Sequence, residues 1–267
     1  MSRPTVRETG GGTQSVERAL TLLGAFTDEQ PERRVSELAQ LSGLGQSTVS
    51  RLVGTLEALG YVDRDERSGL YRIGPRIVEL AGVALNLSPV HRQARQLAQD
   101  LAAELGLGAN VAERHGSKLF YLCHFEGRLA PRSFTLIGSS GPLHATAMGK
   151  ALLSDLSSAE VEKLLGASYP AFTPNTITER GALLAALDEV RTRGYATEVE
   201  ELAFGRACIA APLRDRSGRV VAALSVSGSL SAVNLPERQA DLARKVIEGA
   251  DQISTGLGYM AAAVQRV

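Results

Sequence analysis

Between Leu41 and Leu52 the sequence LSGLGQSTVSRL sets a glycine turn in front of a helix with two unlike faces, and few folds accommodate that arrangement. Val49, Leu52, Val53, Leu56 and Leu59 recur at three- and four-residue spacing and predict one apolar stripe. Gln46, Ser47, Ser50 and Arg51 gather on the other side of the first turns, where such side chains suit phosphates and base edges.

The flanks extend the pattern. Upstream, Val16, Ala19, Leu20, Leu23 and Phe26 predict a first amphipathic helix, and Ser36 is the expected cap of a short second one carrying Leu38, Ala39 and Leu41. Downstream, Tyr61 to Arg64 and Leu70 to Ile73 are β-prone runs around a charged tip, Asp65-Glu66-Arg67-Ser68-Gly69. Three helices and a hairpin make a winged helix-turn-helix over residues 14–74. Its candidate DNA contacts are Gln46, Ser47, Thr48, Ser50 and Arg51 on the third helix and Arg64 and Arg67 on the wing. A turn between two short helices also occurs in domains that only assemble with other proteins. In that alternative Ser47 and Thr48 cap a core helix and Arg51 is solvated.

Charge restrains the DNA-binding reading. From Met1 to Arg76 there are ten Arg against ten Asp plus Glu, so the domain lacks the basic excess of a purely electrostatic binder. Arg51, Arg64, Arg67, Arg72 and Arg76 nonetheless cluster on the third helix, the wing and its exit, and clustering sets the local field. A neutral domain gains little from counterion release, so tight binding calls for a dimer or tetramer that sums several footprints.

Pro75 opens a candidate linker helix, residues 75–88, with Ile77, Leu80, Ala81, Ala84 and Leu85 on one face. That stripe is either a dimer seam or a docking face. Ser88-Pro89 caps the next helix, which runs to about Leu105 before Gly106. From Asn110 strand-like runs take over: Asn110 to Glu113, Leu119 to Phe125, Ser133 to Ile137, Tyr195 to Glu200, Ala207 to Leu213 and Arg219 to Ser227. Helices are expected around Ala145 to Ser154, over Glu179 to Arg193, and from Pro236 onward. Hairpin turns between neighbouring strands predict an α+β domain over residues 89–267, with an antiparallel sheet flanked by helices. Residues 1–13, with Gly10 to Gly12, read as a flexible lead-in.

Two cysteines, Cys123 and Cys208, no charged-then-apolar leader and no apolar run of bilayer length point to a reduced, cytoplasmic setting without membrane contact. Cys123 and His124 are adjacent and point to opposite faces of a strand, and His91 and His115 complete no ligand spacing, so no metal or cofactor is expected.

Two separated segments, in this order, resemble the IclR family of bacterial transcriptional regulators. The first is Ser15-Val16-Glu17-Arg18-Ala19-Leu20 with the helix-turn-helix and Leu59-Gly60-Tyr61-Val62. The second runs through Pro142 to Leu153, Arg193-Gly194-Tyr195-Ala196, Cys208 to Leu213 and Gly218 to Gly228. The resemblance covers about Ser15 to Tyr259. It implies a winged helix, a linker helix used in dimerisation, and a C-terminal GAF-like effector domain that often forms tetramers. The chain departs from the pattern at Gln46, where a basic residue is frequent, and at Gly45, where a capping Ser or a Pro is common.

The resemblance further implies a small organic acid as effector, held by Ala147, Met148, Gly149, Glu198, Cys208, Ser225 and Ser227. The residues are chemically suited: a helix start offers unpaired N–H groups to a carboxylate, and Ser225 and Ser227 share a strand face. Bland alternatives stand beside each. The serines suit an exposed edge, Met148 a core, Glu198 an acidic surface strand, Cys208 a buried apolar site. His144 is placed to cap the helix or touch ligand, and Lys150 to meet solvent or an acid. The expected function is a ligand-responsive transcriptional regulator on a near-palindromic operator, and not an enzyme. The alternatives are an enzyme using Cys208 or His144, which lacks any nucleophile-elbow or phosphate-loop motif, and a protein-assembly module.

Overall fold

The computed structural model describes residues 13–130 and 136–260. Of the lead-in expected over residues 1–13, all but Thr13, which begins the first helix, lies outside them, as does most of the strand expected at Ser133 to Ile137. The chain divides into two compact units, one ending at Ala84 and the other beginning at Leu85.

The first unit contains α1 (Thr13–Leu23), β1 (Glu32–Arg33), α2 (Val35–Ser42), α3 (Gln46–Ala58), β2 (Val62–Arg64), β3 (Tyr71–Ile73) and most of α4 (Pro75–Leu87). Leu22, Leu38, Val49, Val53, Leu56, Val62 and Tyr71 form its core. The strands make an antiparallel sheet in the order β1-β3-β2, so the wing has a third strand that the sequence reading did not include. Four further details differ from expectation. Leu22 is the fully buried residue of α1, while Val16 and Leu20 are exposed, as are Leu41 and Leu59. Ser36 lies inside α2; Arg34 is the cap residue, and its N–H donates to the Glu37 carboxylate at 2.6 Å.

On α4 no residue is buried; Val78, Leu80, Val83 and Leu87 are exposed. Ser88 then ends one helix and starts another, its hydroxyl accepting from His91 N.

The second unit is one six-stranded antiparallel sheet, ordered β6-β5-β4-β9-β8-β7. Its strands are β4 (Gly108–His115), β5 (Lys118–Phe125), β6 (Ser140–Pro142), β7 (Ala196–Val199), β8 (Arg206–Arg214) and β9 (Val220–Ser229). Strand alternation splits the residues between two cores. Val111, Ile209, Leu224 and Val226 face α5 (Pro89–Leu105) and α10 (Leu235–Gly256). Ala112, Ala210 and Ala223 face α6 (Ala147–Leu153), α7 (Ser158–Leu165) and α8 (Arg180–Arg193). Strand β6 and helix α7 were not foreseen, nor was the four-residue α9 (Leu230–Val233).

Candidate functional site

Two features stand out, one in each unit. On α3 the buried Val49, Val53 and Leu56 fix the helix against its unit and leave Gln46, Ser47, Ser50 and Arg51 exposed on the outer face. Thr48 is half-buried, so it belongs to the flank of that face. Gly45 precedes the helix in extended backbone and offers no side-chain cap, leaving the first N–H groups of α3 open. On the wing, Asp65 accepts from the N–H groups of Arg67 (3.1 Å) and Ser68 (2.7 Å) and from the Ser68 hydroxyl (2.8 Å). Gly69, at φ 69°, completes the turn. The bonds hold the Asp65 carboxyl below its usual range, the Ser68 N–H first among them. Arg67 is exposed at the tip, and Arg64 lies over the Tyr71 ring at 5.7 Å.

In the second unit a cavity of about 260 Å³ lies on the α6 side of the sheet. Its walls come from all six strands and α6: Asn110, Tyr121, the segment Ser140 to Pro142, Glu198, Cys208, and Ser225 with Ser227, closed by Ala147 and Met148. Cross-strand register makes it. Glu198 pairs with Cys208 and Cys208 with Ser227, while Ser225 pairs with Asn110. The Asn110 amide nitrogen points at the Ser225 and Ser227 hydroxyls (3.5 and 3.3 Å), so its oxygen accepts from His124 Nδ1 at 2.8 Å. The Glu198 carboxylate is buried, accepting from Glu201 N (2.7 Å) and Leu202 N (3.3 Å). It is no surface strand acid.

Burial pushes the Cys208 thiol well up, and the neighbouring Glu198 carboxylate adds to the shift. Tyr121 is pushed up to about 12, again by burial first. On both groups the Arg206 cation acts in the opposite direction.

Gly149 has a different place from the one the sequence suggested. A Cβ there would lie 2.1 Å from the Leu143 carbonyl oxygen, so glycine permits a close backbone contact, and it is not among the described residues that line this cavity. Thr146, not His144, caps α6: its hydroxyl accepts from Gly149 N at 3.0 Å and donates to Pro142 O at 2.9 Å. The cap takes one of the N–H groups that the helix start offered to a carboxylate. His144 is buried between Tyr169 and Phe172, and its Nε2 donates to Pro170 O at 3.0 Å. Burial, with Lys150 nearby, holds its pKa down. His144 Nε2 is thus taken by a backbone carbonyl, and burial presses the Cys208 thiol toward its protonated form.

Lys150 is only 4% exposed, and its ammonium sits 2.5 Å from the Glu201 carboxylate. The other oxygen, Oε2, is buried without a partner among the described residues. Burial raises the Glu201 pKa first, and the Lys150 charge opposes it. The Thr173 and Thr176 hydroxyls donate to the carbonyls of Glu200 and Glu201, both at 2.5 Å, and Glu200 is held at φ 54°. The turn between β7 and β8, which supplies Leu202 and Ala203 to the cavity wall, is therefore fixed to α6 by a buried ion pair.

Sequence reasoning missed Asn110, Tyr121, Ser140 to Pro142 and Arg206. Asn110 carried a signal, a lone amide in an apolar strand.

Comparison with known proteins covers both units. Residues 15–66 match the family described as "IclR helix-turn-helix domain", and residues 83–255 match "Bacterial transcriptional regulator IclR C-terminal". The chain is 35% identical over 249 residues to the HTH-type transcriptional regulator XynR of Escherichia coli K12, covering 93% of this chain and 98% of that protein. The crystal structure of an IclR transcriptional regulator from Alicyclobacillus acidocaldarius superposes with a TM-score of 0.80 at 26% identity, over 92% of this chain and 99% of that one. An IclR homologue from Microbacterium hydrocarbonoxydans, complexed with 4-hydroxybenzoate, shares the fold at a TM-score of 0.80 and 23% identity, over 91% of this chain and 98% of its own.

Proposed function

The chain belongs to the IclR family of bacterial transcriptional regulators, and from that premise we propose how its two units divide the work: α3 reads an operator while the cavity beside α6 senses a small carboxylate. The carrying observation is the outer side of α3, where Gln46, Ser47, Ser50 and Arg51 are exposed while Val49, Val53 and Leu56 are buried. The Arg51 guanidinium makes no ion pair among the described residues. Arg51 takes a guanine edge or a phosphate, Gln46, Ser47, Ser50 and the flanking Thr48 position the helix on the backbone, and Arg64 and Arg67 reach the adjacent groove wall. A neutral reading domain works as a pair, so the operator is near-palindromic with half-sites about 34 to 36 Å apart. The exposed apolar residues of α4 supply the seam of a homodimer, which can pair again as a tetramer. No described helix is long and apolar enough to cross a membrane, and the protein works in the cytoplasm, where its operator is.

Selecting bound sequences from random duplexes gives the operator. Arg51→Ala is then expected to weaken binding by about tenfold to a hundredfold, corresponding to ~1–3 kcal/mol, and to relax preference at one base pair of each half-site. Unchanged affinity and preference would remove Arg51 from the reading face.

Ligand in the cavity acts by favouring one of two arrangements of the paired winged helices, with α4 as the lever. Operator and ligand must then alter each other's affinity by the same factor, of order 5- to 150-fold. Equal ligand affinities with and without operator DNA would refute this coupling. Cys208 and His144 have no catalytic part in this reading.

A further inference from the structure

Register arranges the cavity's polar groups in rows along β8. Arg206, Cys208 and Ala210 fall on one face of the strand, each row about 7 Å from the next. Arg206 is exposed, Cys208 is half-buried and Ala210 is fully buried, so the rows run from mouth to floor. The mouth row carries the guanidinium of Arg206, the only Lys or Arg among the described residues that line the cavity. It makes no ion pair there. The next row crosses three strands as Glu198, Cys208 and Ser227, and the row beyond it joins Ala210 and Ser225 to Asn110.

We infer that Arg206 receives the carboxylate of the effector at the cavity mouth and that the buried Glu198 carboxylate accepts a hydroxyl of the same molecule, so the effector is a small hydroxycarboxylate bound acid end outward. The inference rests on reading this cavity as the effector site. Three observations support the orientation. Glu198 lies deeper than Arg206 and repels an anion that goes past it. At the start of α6, Thr146, which lines the cavity, already occupies Gly149 N. The Asn110, Ser225 and Ser227 groups are neutral and suit further hydroxyls. At about 30 Å³ per water-sized group, the cavity has room for roughly nine such groups, the size of a short polyhydroxy acid or a hydroxylated benzoate. An exposed cation at the mouth also draws an anionic ligand in.

The test uses the full-length protein and isothermal titration with six probes. D-Glycerate and 4-hydroxybenzoate carry both groups; propionate and benzoate lack the hydroxyl; glycerol and methyl 4-hydroxybenzoate lack the carboxylate. At least one of the first two is expected to bind, at least tenfold more tightly than either of its analogues. Arg206→Gln should weaken that probe by about tenfold to a hundredfold and leave the carboxylate-free analogue unchanged, with Arg206→Lys in between. Glu198→Gln keeps an acceptor for the loop N–H groups; it should weaken the hydroxylated acid and tighten the unhydroxylated one. Equal binding of the acid by the wild type and Arg206→Gln, or a carboxylate-free probe that matches its acid, overturns the assignment, as does the absence of binding by all six at 10 mM. Ser225→Phe, which fills the floor, separates the two levels. If it leaves binding intact, the reading of the cavity as the effector site fails; if it abolishes binding while Arg206→Gln does not, only the orientation does.

Discussion

Replacing Lys150 with methionine is expected to destabilise the C-terminal unit by about 3–5 kcal/mol, the cost of leaving a buried ion without its counter-ion. Lys150 and Glu201 are 4% and 8% exposed, so solvent does little to screen the loss, and Glu201 Oε2 already has no partner among the described residues. The sign of the pH dependence follows. Burial raises the folded-state pKa of Glu201 above its usual 4.5, and Lys150 is the chief influence lowering it. With Lys150 gone the folded pKa climbs further. The folded state then binds a proton that the unfolded state releases, so the stability recovered by protonation is present at acidic pH and is lost as pH rises through the new folded value. Calorimetric melts of Lys150→Met should therefore show a deficit that is largest near pH 8 and smaller near pH 5. Lys150→Met with Glu201→Leu should recover most of it. A single variant that melts like the wild type at pH 8 would show that the pair contributes nothing.

The second large effect belongs to the neighbouring residue. Gly149→Ala should cost about 3 kcal/mol, the upper end for overpacking, because the added methyl meets the Leu143 oxygen at 2.1 Å and its carbonyl and α carbons at 2.5 Å. These are backbone atoms, which cannot turn aside as a side chain end can. The start of α6 must move, carrying Ala147 and Met148 out of the cavity wall. Denaturant melts and probe titrations should both report it, with ligand binding lost even where folding is retained at low temperature. By contrast Gly54→Ala on α3, where an added methyl meets nothing within 4 Å, should be neutral or stabilising.

The architecture was legible wherever one period dominated. The α3 stripe, the hairpin around Asp65 to Gly69, the Ser88-Pro89 start and Gly106 stop of α5, and the β8–β9 hairpin all follow from local chemistry. The failures have local reasons too. In α1 the run Leu20-Thr21-Leu22-Leu23 supports two stripes of similar weight, and only packing against α3 selects the one with Leu22. Strand β1 is two residues long and exists because Arg33 and Glu32 pair with Tyr71 and Arg72, far along the chain. The site was legible in the same uneven way. Ser225, Ser227, Cys208, Glu198, Ala147 and Met148 converge on one cavity, whereas Gly149 packs on Leu143. Arg206, Asn110 and Tyr121 join it through the register of strands whose spacing in sequence carries no such information. Of the two readings open for Lys150, solvent or an acid, the structure has the second, and which acid was not legible because Glu201 lies 51 residues away.

Strand β9 is buried on both faces, alternating Leu224 and Val226 toward α5 and α10 with Ser225 and Ser227 toward the cavity. A shift of one residue would drive two hydroxyls into a close-packed apolar layer and plug the cavity with leucine and valine. Descendants of this protein can thus acquire a taste for a different metabolite by point substitution at the cavity rows, but hardly by inserting or deleting a codon within β9. Lineages that diverge in what they sense should keep the length of this strand while its cavity-facing letters drift.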